Sequence, residues 1–361
     1  MALPFFESRV RKQRDRMLAV DLGSRTTKAV HVQRRGQGFA LCGYALLDAP
    51  IFDKTLSTDM LTEHLKAVSQ ALGAKCKIVT LTVGVNDAVV RHTEMPRLSA
   101  DDRRLVLKHS SRVYLQQELT NHVFDTYVLA SPSPDQVPKS AESPKASPGT
   151  PKQKILIAGA RKQLIEDFVE AGRRAGLVVD CIVPGLISPV NAFEKAMPDV
   201  FANEAVALVD LGFKNSSICI VHRGELILSR VVGIGGDRLT NGLAEALNVS
   251  YAEAEGIKIG MPTEVQSHIE ALVLPLGREL RTSIDFFEHQ QDHPVSQAFI
   301  SGGAARSEFI LHLLQQEMMI DCKILNPTTF LQLELPSQQA VEIEQVAPQL
   351  TVALGAALAT L

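Results

Sequence analysis

Residues 17–32, which read MLAVDLGSRTTKAVHV, constrain the fold more than any other stretch of the chain. An apolar run breaks at Asp21-Leu22-Gly23, and after a polar stretch that ends at Lys28 the chain becomes apolar again. Two strands joined by a short turn of Gly and hydroxyl residues fit this pattern. Such a turn presents backbone N–H groups and hydroxyls to a phosphate. Lys28 adds a positive charge, and Asp21 can face a metal ion that accompanies the phosphate.

The same pattern returns in residues 205–220, which read AVALVDLGFKNSSICI. Both copies contain V-D-L-G after an apolar run, with hydroxyl residues at matching places. The second copy departs from the pattern at Phe213-Lys214-Asn215, where a small or hydroxyl residue is usual. One such stretch alone could equally be an ordinary surface hairpin. Two copies, each opening one half of the chain, favour two phosphate hairpins in a two-lobed nucleotide clamp.

The size and composition of the chain agree with two globular lobes in a reducing compartment. At 361 residues it exceeds the length at which a single core stops growing, and 45% of its residues are hydrophobic. A net charge of −3 gives no general affinity for nucleic acid. The five cysteines are scattered without a C-x-x-C pair, which argues against zinc or iron–sulfur ligation.

No membrane-targeting segment is evident. The basic N-terminus leads into no apolar signal region. The longest apolar tract, 350–361, is shorter than the ~20 residues that a membrane-spanning helix needs. We therefore expect a cytoplasmic protein.

Two segments have the composition of solvated chain. Residues 1–16 combine two Phe with five basic residues, so they form either a disordered leader or an arm that touches anionic lipid or a partner. The leader is favoured because chain termini are commonly disordered. Residues 131–152 hold six Pro and five Ser and no aromatic residue. They cannot bury enough apolar surface to offset the loss of chain entropy, so we predict a disordered loop.

Two further segments offer groups that suit a nucleoside. In residues 251–260, YAEAEGIKIG, Glu255 and Lys258 lie three apart and share one face of a predicted helix. The carboxylate can accept hydrogen bonds from ribose hydroxyls and the ammonium can reach a base, although a solvated surface pair is the commoner use of this spacing. Residues 301–304, which read SGGA between a predicted strand and a helix, form either a simple turn or a place where backbone closely approaches a flat base.

Two other patterns are weaker indications. The spacing of Gly233 and Gly235 suggests a dinucleotide-binding turn, but Arg238 stands where the third glycine is required. His289 and His293 have the spacing of helical metal ligands, but no third ligand is near and Pro294 follows, so a surface turn is favoured.

The motifs together resemble the PilM family, the actin-like proteins of type IV pilus assembly. The resemblance covers most of residues 15–361 and is strongest at LAVDLGSRTTKAVHVQRRGQGFALCGYAL, VDLGFKNSSICIVHRGELILSRVVGIGGDRLT, RTSIDFF, ISGGAA, CKILNP and LTVALGAAL. It implies an α/β two-lobed actin-like ATPase fold with an FtsA-type inserted subdomain in the first lobe. It also implies that ATP and Mg²⁺ bind between the lobes.

The resemblance further implies partners and a location. Members sit at the cytoplasmic, inner face of the inner membrane and grip the N-terminal tail of a PilN-like protein. Membrane association would be peripheral and through partners, and no nucleic acid would be bound. Contact with pilus motor ATPases and homo-oligomer formation are left open.

The resemblance assigns the predicted nucleotide site residue by residue. The first phosphate hairpin is matched by Asp21, Gly23, Ser24, Thr26 and Lys28; the second by Asp210, Gly212, Asn215 and Ser216; the ribose and adenine contacts by Glu255 and Lys258; and the adenosine turn by Gly302, Gly303 and Ala304. The adjoining Arg25, Thr27, Gly235 and Gly236 complete the predicted set. Asp21 and Asp210 would reach Mg²⁺ through its waters, because this ion sheds water reluctantly. No catalytic residue is assigned.

The expected layout divides the chain into segments. These are a basic leader at 1–16, the first-lobe core at 17–88, an inserted subdomain at 89–180 that contains the loop 131–152, the return of the first-lobe core at 181–204, the second-lobe core at 205–241, its small subdomain at 242–294, the return of the second-lobe core at 295–345, and a terminal helix at 346–361.

Two other members of the superfamily are the alternatives. A sugar-type kinase would need an acceptor pocket and a base at the acceptor hydroxyl, and the sequence gives no clear candidate for either. An FtsA-like filament protein usually carries an amphipathic membrane helix after its last core helix, and none is evident before Leu361. Residues 183–191 contain no Glu or Gln to position an attacking water, so slow or absent ATP hydrolysis is expected.

Overall fold

The computed structural model describes residues 14–51, 56–129, 152–261 and 263–361. The predicted loop 131–152 lies outside these residues except for Lys152, and the predicted leader lies outside them up to residue 13. No helix in the described part of the chain is long and apolar enough to cross a membrane.

The described residues form fourteen strands and eleven α-helices, with runs of consecutive strands between groups of helices. The strands are β1 (Arg16–Leu22), β2 (Thr26–Arg35), β3 (Gly38–Asp48), β4 (Ile78–Val83), β5 (Ala88–Pro96), β6 (His122–Val128), β7 (Lys152–Arg161), β8 (Val178–Pro184), β9 (Ala205–Leu211), β10 (Ser216–His222), β11 (Glu225–Val232), β12 (Gln297–Ser301), β13 (Asp321–Ile324) and β14 (Leu331–Leu333). The helices are α1 (Thr58–Leu72), α2 (Ala100–Leu115), α3 (Lys162–Arg174), α4 (Ser188–Ala196), α5 (Pro198–Asn203), α6 (Gly236–Leu247), α7 (Tyr251–Gly260), α8 (Gln266–Gln291), α9 (Glu308–Met318), α10 (Ser337–Val346) and α11 (Thr351–Leu358).

The first lobe is a six-stranded sheet with helices on both faces and the strand order β14-β3-β2-β1-β4-β8. Along β1, Leu18 and Val20 join the cluster that contains Leu65 of α1, whereas Ala19 joins the cluster that contains Ala353 of α11. Since successive side chains of a strand point to opposite faces, this strand must be apolar on both sides. The continuous apolar run that opens the first hairpin is the consequence.

The inserted subdomain is a three-stranded antiparallel sheet, β5-β7-β6, with α2 on one face. Met95, Leu107, Phe124 and Ile157 form its own small core. The sheet of the subdomain ends at Arg161. The residues that follow belong to the first lobe, because α3 packs on α1 and β8 pairs in parallel with β4. The predicted end at residue 180 is therefore corrected. Parallel pairing of residues that lie 100 or more positions apart leaves no local signature in the sequence.

The second lobe is a five-stranded sheet with the order β11-β10-β9-β12-β13. On one face, Val209 and Ile300 pack with Leu280 of α8 in a single cluster. On the other face, Phe299 packs on Phe193 of α4, with ring centroids 4.8 Å apart. The two lobes therefore share an apolar contact behind the cleft.

The chain returns to the first lobe before its end. β14 pairs in parallel with β3, and Gln339 of α10 hydrogen-bonds the backbone of Tyr44. α11 packs so closely on α4 that a Cβ on Gly355 would lie 1.8 Å from the Ser188 carbonyl oxygen. The prediction that residues 331–345 belong to the second lobe is therefore corrected. The sequence did not show this because a three-residue strand is too short to recognise from its pattern.

Candidate nucleotide site

Asp21 is the penultimate residue of β1, and the register of the first hairpin fixes its polar contacts. Asp21 lies opposite Lys28 in the antiparallel β1–β2 pair, and the Lys28 Nζ is 3.1 Å from the Asp21 Oδ2. The Thr82 hydroxyl of the neighbouring strand β4 donates to Asp21 Oδ1 at 3.1 Å. Together the two partners hold the carboxylate in one orientation.

The second hairpin places Asp210 in the corresponding position at the end of β9. Ser301 lies beside it in the parallel β9–β12 pair, and the Ser301 hydroxyl donates to Asp210 Oδ1 at 2.9 Å. Burial raises the pKa of Asp210, the nearby charge of Asp21 raises it further, and Lys28 and Ser301 offset only part of the rise. Ionised Asp210 is therefore held at a cost that a bound cation would relieve.

Lys28 is the electrostatic link between the two hairpins. Burial by itself lowers the pKa of this ammonium, but the carboxylates of Asp21 and Asp210 outweigh burial and raise the pKa above its ordinary value. Lys28 therefore stays protonated at physiological pH. Its charge acts on a carboxylate from each lobe.

Two glycines make the hairpin turns possible. A Cβ on Gly23 would lie 2.5 Å from the Thr26 carbonyl oxygen, and a Cβ on Gly212 would lie 2.6 Å from the Asn215 carbonyl oxygen. The two turns are thus equally tight at equivalent positions. Any larger residue would force the backbone of these turns apart.

The start of α6 is attached to the second hairpin by backbone hydrogen bonds. The Gly236 N–H donates to the Gly212 carbonyl at 3.0 Å, and the Asp237 N–H donates to the Phe213 carbonyl at 2.9 Å. A Cβ on Gly235 would lie 2.4 Å from the Phe213 carbonyl oxygen. Gly235 and Gly236 therefore support the second hairpin through their backbones. This role accounts for the two glycines without a dinucleotide-binding turn.

The pair Glu255 and Lys258 lies on α7 and faces α6. Glu255 Oε2 accepts hydrogen bonds from the Thr240 hydroxyl at 2.5 Å and from Lys258 Nζ at 2.7 Å. Burial raises the pKa of Glu255, but these two donors outweigh it and the pKa is lowered. Arg25 of the first hairpin lies 3.4 Å from Glu255 Oε1, so this carboxylate faces the cleft.

The turn after β12 lies against the second hairpin. Gly302 has a φ of +93°, and a Cβ there would lie 2.5 Å from the Leu211 carbonyl oxygen, so only glycine fits. Nothing lies within 4 Å of the corresponding position on Gly303, which leaves its backbone open beside Ala304. The Gly302 N–H donates to the Pro348 carbonyl at 2.9 Å, which ties the turn to the segment that precedes α11.

Two predicted hydroxyls do not reach the cleft. Thr27 is fully buried, and its hydroxyl is 2.7 Å from His64 Nε2 of α1. Ser216 is 1% exposed and donates to the Ile234 carbonyl at 2.7 Å. Alternation along β2 turns Thr27 away from the face that Lys28 occupies. The assignment of these two side chains to the nucleotide is corrected to a structural role.

Sequence reasoning missed several side chains that complete the site. Thr82 and Ser301 orient the two carboxylates, Thr240 bridges Glu255 and Lys258, and Asp237 accepts from Lys214 Nζ at 2.8 Å. A weak signal exists for Thr82, since it is a polar residue in the buried strand that reads IVTLTV. Ser301 is the first residue of the predicted turn at 301–304, but that prediction gives its side chain no role there.

The arrangement fits a magnesium nucleotide on its donor chemistry. Asp21 and Asp210 each have one oxygen oriented by a hydroxyl, and they lie close enough to the same ammonium for both charges to act on it. Mg²⁺ is commonly held by one or two carboxylates, with water and substrate phosphates as the other ligands. Two carboxylates in this position suit such an ion only together with a phosphate.

Comparison with known proteins identifies the family. The family model for the type IV pilus assembly protein PilM matches residues 19–361. This chain belongs to the PilM family. The match runs through both hairpins, the inserted subdomain and the return of the chain to the first lobe.

Solved structures show the fold of this PilM-family chain. The structure titled PilM–PilN type IV pilus biogenesis complex matches with a TM-score of 0.81 at 18% identity, over 97% of this chain and 99% of that one. The ethanolamine utilization protein EutJ from Carboxydothermus hydrogenoformans matches with a TM-score of 0.56 at 13% identity, over 97% and 91%. MreB 5 of Spiroplasma citri, bound to AMPPNP, matches with a TM-score of 0.51 at 9% identity, over 95% of each chain. The predicted two-lobed actin-like ATPase fold with an inserted subdomain is confirmed.

Curated relatives match shorter stretches. The cell division protein FtsA of Bacillus subtilis (strain 168) is 30% identical over 103 residues, which is 28% of this chain and 22% of that protein. FtsA of Streptococcus pneumoniae serotype 2 is 22% identical over 165 residues, which is 45% of this chain and 34% of that protein. The matched stretches thus span about a third or less of either relative.

Proposed function

We propose that this PilM-family chain binds Mg·ATP between its lobes and, in response to the nucleotide, changes its grip on the N-terminal tail of a PilN-like inner-membrane protein. The observation that carries the nucleotide part is the position of Lys28 with respect to Asp21 and Asp210. An ammonium that balances a carboxylate from each lobe lies where a phosphate chain with its Mg²⁺ would bridge both hairpins. The open backbone at Gly303 and the carboxylate of Glu255 offer places for the base and the ribose.

The bound ion would be held by Asp21 and Asp210 and would neutralise phosphate charge. The chain's own residues do the rest: the tight turns at Gly23 and Gly212 present backbone N–H groups, and Lys28 supplies a fixed positive charge. Slow turnover is part of the proposal. Residues 183–191 hold no Glu or Gln, and Asn191 is buried with its side-chain amide donating to the Gly355 carbonyl.

The partner part rests on family membership and on a contact between the inserted subdomain and the second lobe. His92 of β5 lies 2.9 Å, measured from Nε2, from the Leu226 carbonyl of β11, and its pKa is lowered by burial. Because a carbonyl oxygen only accepts, Nε2 of His92 is the donor in this contact. The lowered pKa favours the neutral form of the ring. Movement of β11 during lobe closure would therefore pull on the subdomain beside which the tail is proposed to bind.

The working location would be the cytoplasmic face of the inner membrane, with the PilN-like partner as the membrane attachment. A tail that becomes ordered on binding loses chain entropy, so a dissociation constant on the order of micromolar is expected. Motor ATPases of the pilus and further copies of this chain are additional candidate partners within the same proposal.

The test is a calorimetric titration with the cytoplasmic N-terminal peptide of the cognate PilN-like protein, with and without Mg·ATP. We expect saturable binding whose affinity differs between the two conditions, and no binding of a scrambled peptide. A His92→Ala variant should still bind the peptide but show a smaller difference between the conditions. Absence of binding in both conditions, together with rapid phosphorylation of a sugar in a substrate screen, would replace the adaptor with the kinase alternative.

A further inference from the structure

Arg25 crosses the cleft from one predicted phosphate hairpin to the other. It lies in the turn between β1 and β2, and its guanidinium carbon is 5.1 Å from the centroid of the Phe213 ring. Its Nη1 is 3.4 Å from Glu255 Oε1 on α7. Phe213 and Glu255 both belong to the second lobe, so a single side chain of the first lobe makes two contacts across the opening through which a nucleotide would enter.

The second lobe forms an acidic and aromatic socket around this guanidinium. Phe213 supplies a ring face, Glu255 supplies a carboxylate, and the charge of Arg25 also contributes to the lowered pKa of Asp237. An arginine above an aromatic face with carboxylates beside it is a favourable arrangement for a delocalised cation. This contact gives a role to the bulky Phe213, which is unusual for a phosphate turn: its ring packs against the guanidinium of Arg25.

We propose that Arg25 and Phe213 form a latch that closes the cleft while no nucleotide is bound, and that a nucleotide replaces the latch when it enters. The second half of the proposal rests on the proposed function, because it uses Glu255 as the carboxylate for the ribose. Arg25 and the ribose hydroxyls would then compete for the same oxygen. Nucleotide entry releases Arg25 from Glu255, and the nucleotide's own contacts to both lobes take over the closure.

The latch has a modest strength that suits a switch. Arg25 is 45% exposed at its side chain, so its ion pair with Glu255 is weakened by water and salt. A partly exposed cation–π contact adds a stabilisation of similar size. Together they are sufficient to change the ratio of closed to open molecules about fivefold. A ligand with better contacts to both lobes would override them.

The experiment measures the distance between the lobes in the full-length protein without nucleotide. Spin labels are placed at Gln70→Cys on α1 and Ser267→Cys on α8, both exposed, in a Cys42→Ser background. Cys42 is replaced because it is the half-exposed native cysteine, whereas the other four are buried. Pulsed electron–electron double resonance then gives the distribution of distances between the two labels, in which closed and open molecules differ.

Arg25→Ala should raise the open-to-closed ratio about fivefold, and Phe213→Leu should shift it in the same direction by a smaller amount. The matched control is Lys214→Ala. Lys214 also contacts the Phe213 ring, at 5.4 Å, and pairs with Asp237, but all of its partners lie in the second lobe. Its removal should leave the distance distribution unchanged.

Addition of Mg·ATP separates the latch from the proposed function. The distance change on adding nucleotide should be larger in Arg25→Ala than in the parent protein, because the variant starts from a more open state. An unchanged distribution in nucleotide-free Arg25→Ala would overturn the latch even if Mg·ATP binds normally. Opening in that variant, with no response to Mg·ATP in any variant, would support the closing contact and contradict both its replacement by nucleotide and the proposed function.

Discussion

The two hairpins share one sequence pattern but have different groups at the same register position. In the first hairpin, Lys28 lies directly opposite Asp21, whereas in the second hairpin the residue opposite Asp210 is Ser217. The first hairpin therefore contains the cation that balances its own carboxylate. The carboxylate of the second hairpin is balanced by the same cation, Lys28, from the other lobe. The tips differ as well, since Arg25 stands in a turn of small hydroxyl residues and Phe213 and Lys214 enlarge the other turn.

Two copies of one sequence pattern thus have different electrostatic roles. A single cation that serves two carboxylates makes the second hairpin dependent on the first, but not the reverse. Damage to Lys28 should therefore affect both lobes, while damage to Asp210 should weaken one side of the clamp.

Replacing the shared cation should have the largest effect. Lys28→Met leaves Asp21 and Asp210 without their common counter-charge, so we expect about a hundredfold weaker binding of Mg·ATP. The nucleotide-free protein should lose about 2–3 kcal/mol of unfolding free energy at pH 7 to 8. The raised pKa of Lys28 means that this stabilisation is fully present below pH 10.5 and is lost only as pH rises through the folded value.

The second hairpin offers a matched control for that substitution. Lys214 is 57% exposed at its side chain and pairs with Asp237. Lys214→Met should change the unfolding free energy by about 0.5 kcal/mol or less. Equal losses in calorimetric titrations and urea unfolding of the two variants would contradict the idea that only the first hairpin holds the shared cation.

The buried carboxylate should show a trade-off between stability and binding. Because burial raises its pKa, ionised Asp210 disfavours the folded state at neutral pH, and this penalty disappears as pH falls through the raised value towards 3.8. Asp210→Asn should therefore raise the stability of the nucleotide-free protein at pH 8. The advantage should shrink on acidification towards pH 4. Thermal unfolding of both proteins across this range measures it, and a variant less stable than the parent at pH 8 would contradict the pKa direction.

Sequence reasoning reached the hairpins because their information is local. An apolar strand, Asp-x-Gly and a second strand are visible within sixteen residues, so the positions of Asp21 and Asp210 followed directly. The hydroxyl partners of these two carboxylates are not visible in the same way. Thr82 lies in a strand that is parallel to β1 and more than fifty residues away, and only the folded sheet brings its hydroxyl to Asp21.

The same limit applies to the lobe boundaries and to the side-chain roles of two hydroxyls. β8 and β14 join the first-lobe sheet through long-range parallel pairs, which no local periodicity encodes. Thr27 and Ser216 stand next to well-placed residues, yet they point into the protein. A motif gives the residue types near a phosphate, but alternation along the strand decides which of them face it.

Residues 131–152 should show the smallest effect. Their composition, with Val137 as the one large aliphatic residue, gives them little to add to a core. Replacing them with a short Gly/Ser linker should shift the melting temperature little, because the entropy of loop closure changes slowly with length. Loss of soluble protein on that replacement would contradict this interpretation.

The most direct test of the two-hairpin clamp is a calorimetric titration of Mg·ATP into the parent protein and into Asp210→Ala. We expect one saturable site in the parent protein and at least tenfold weaker binding in the variant, which is about 1.4 kcal/mol. Parent-level affinity in Asp210→Ala, or the absence of any site in the parent protein, would contradict it.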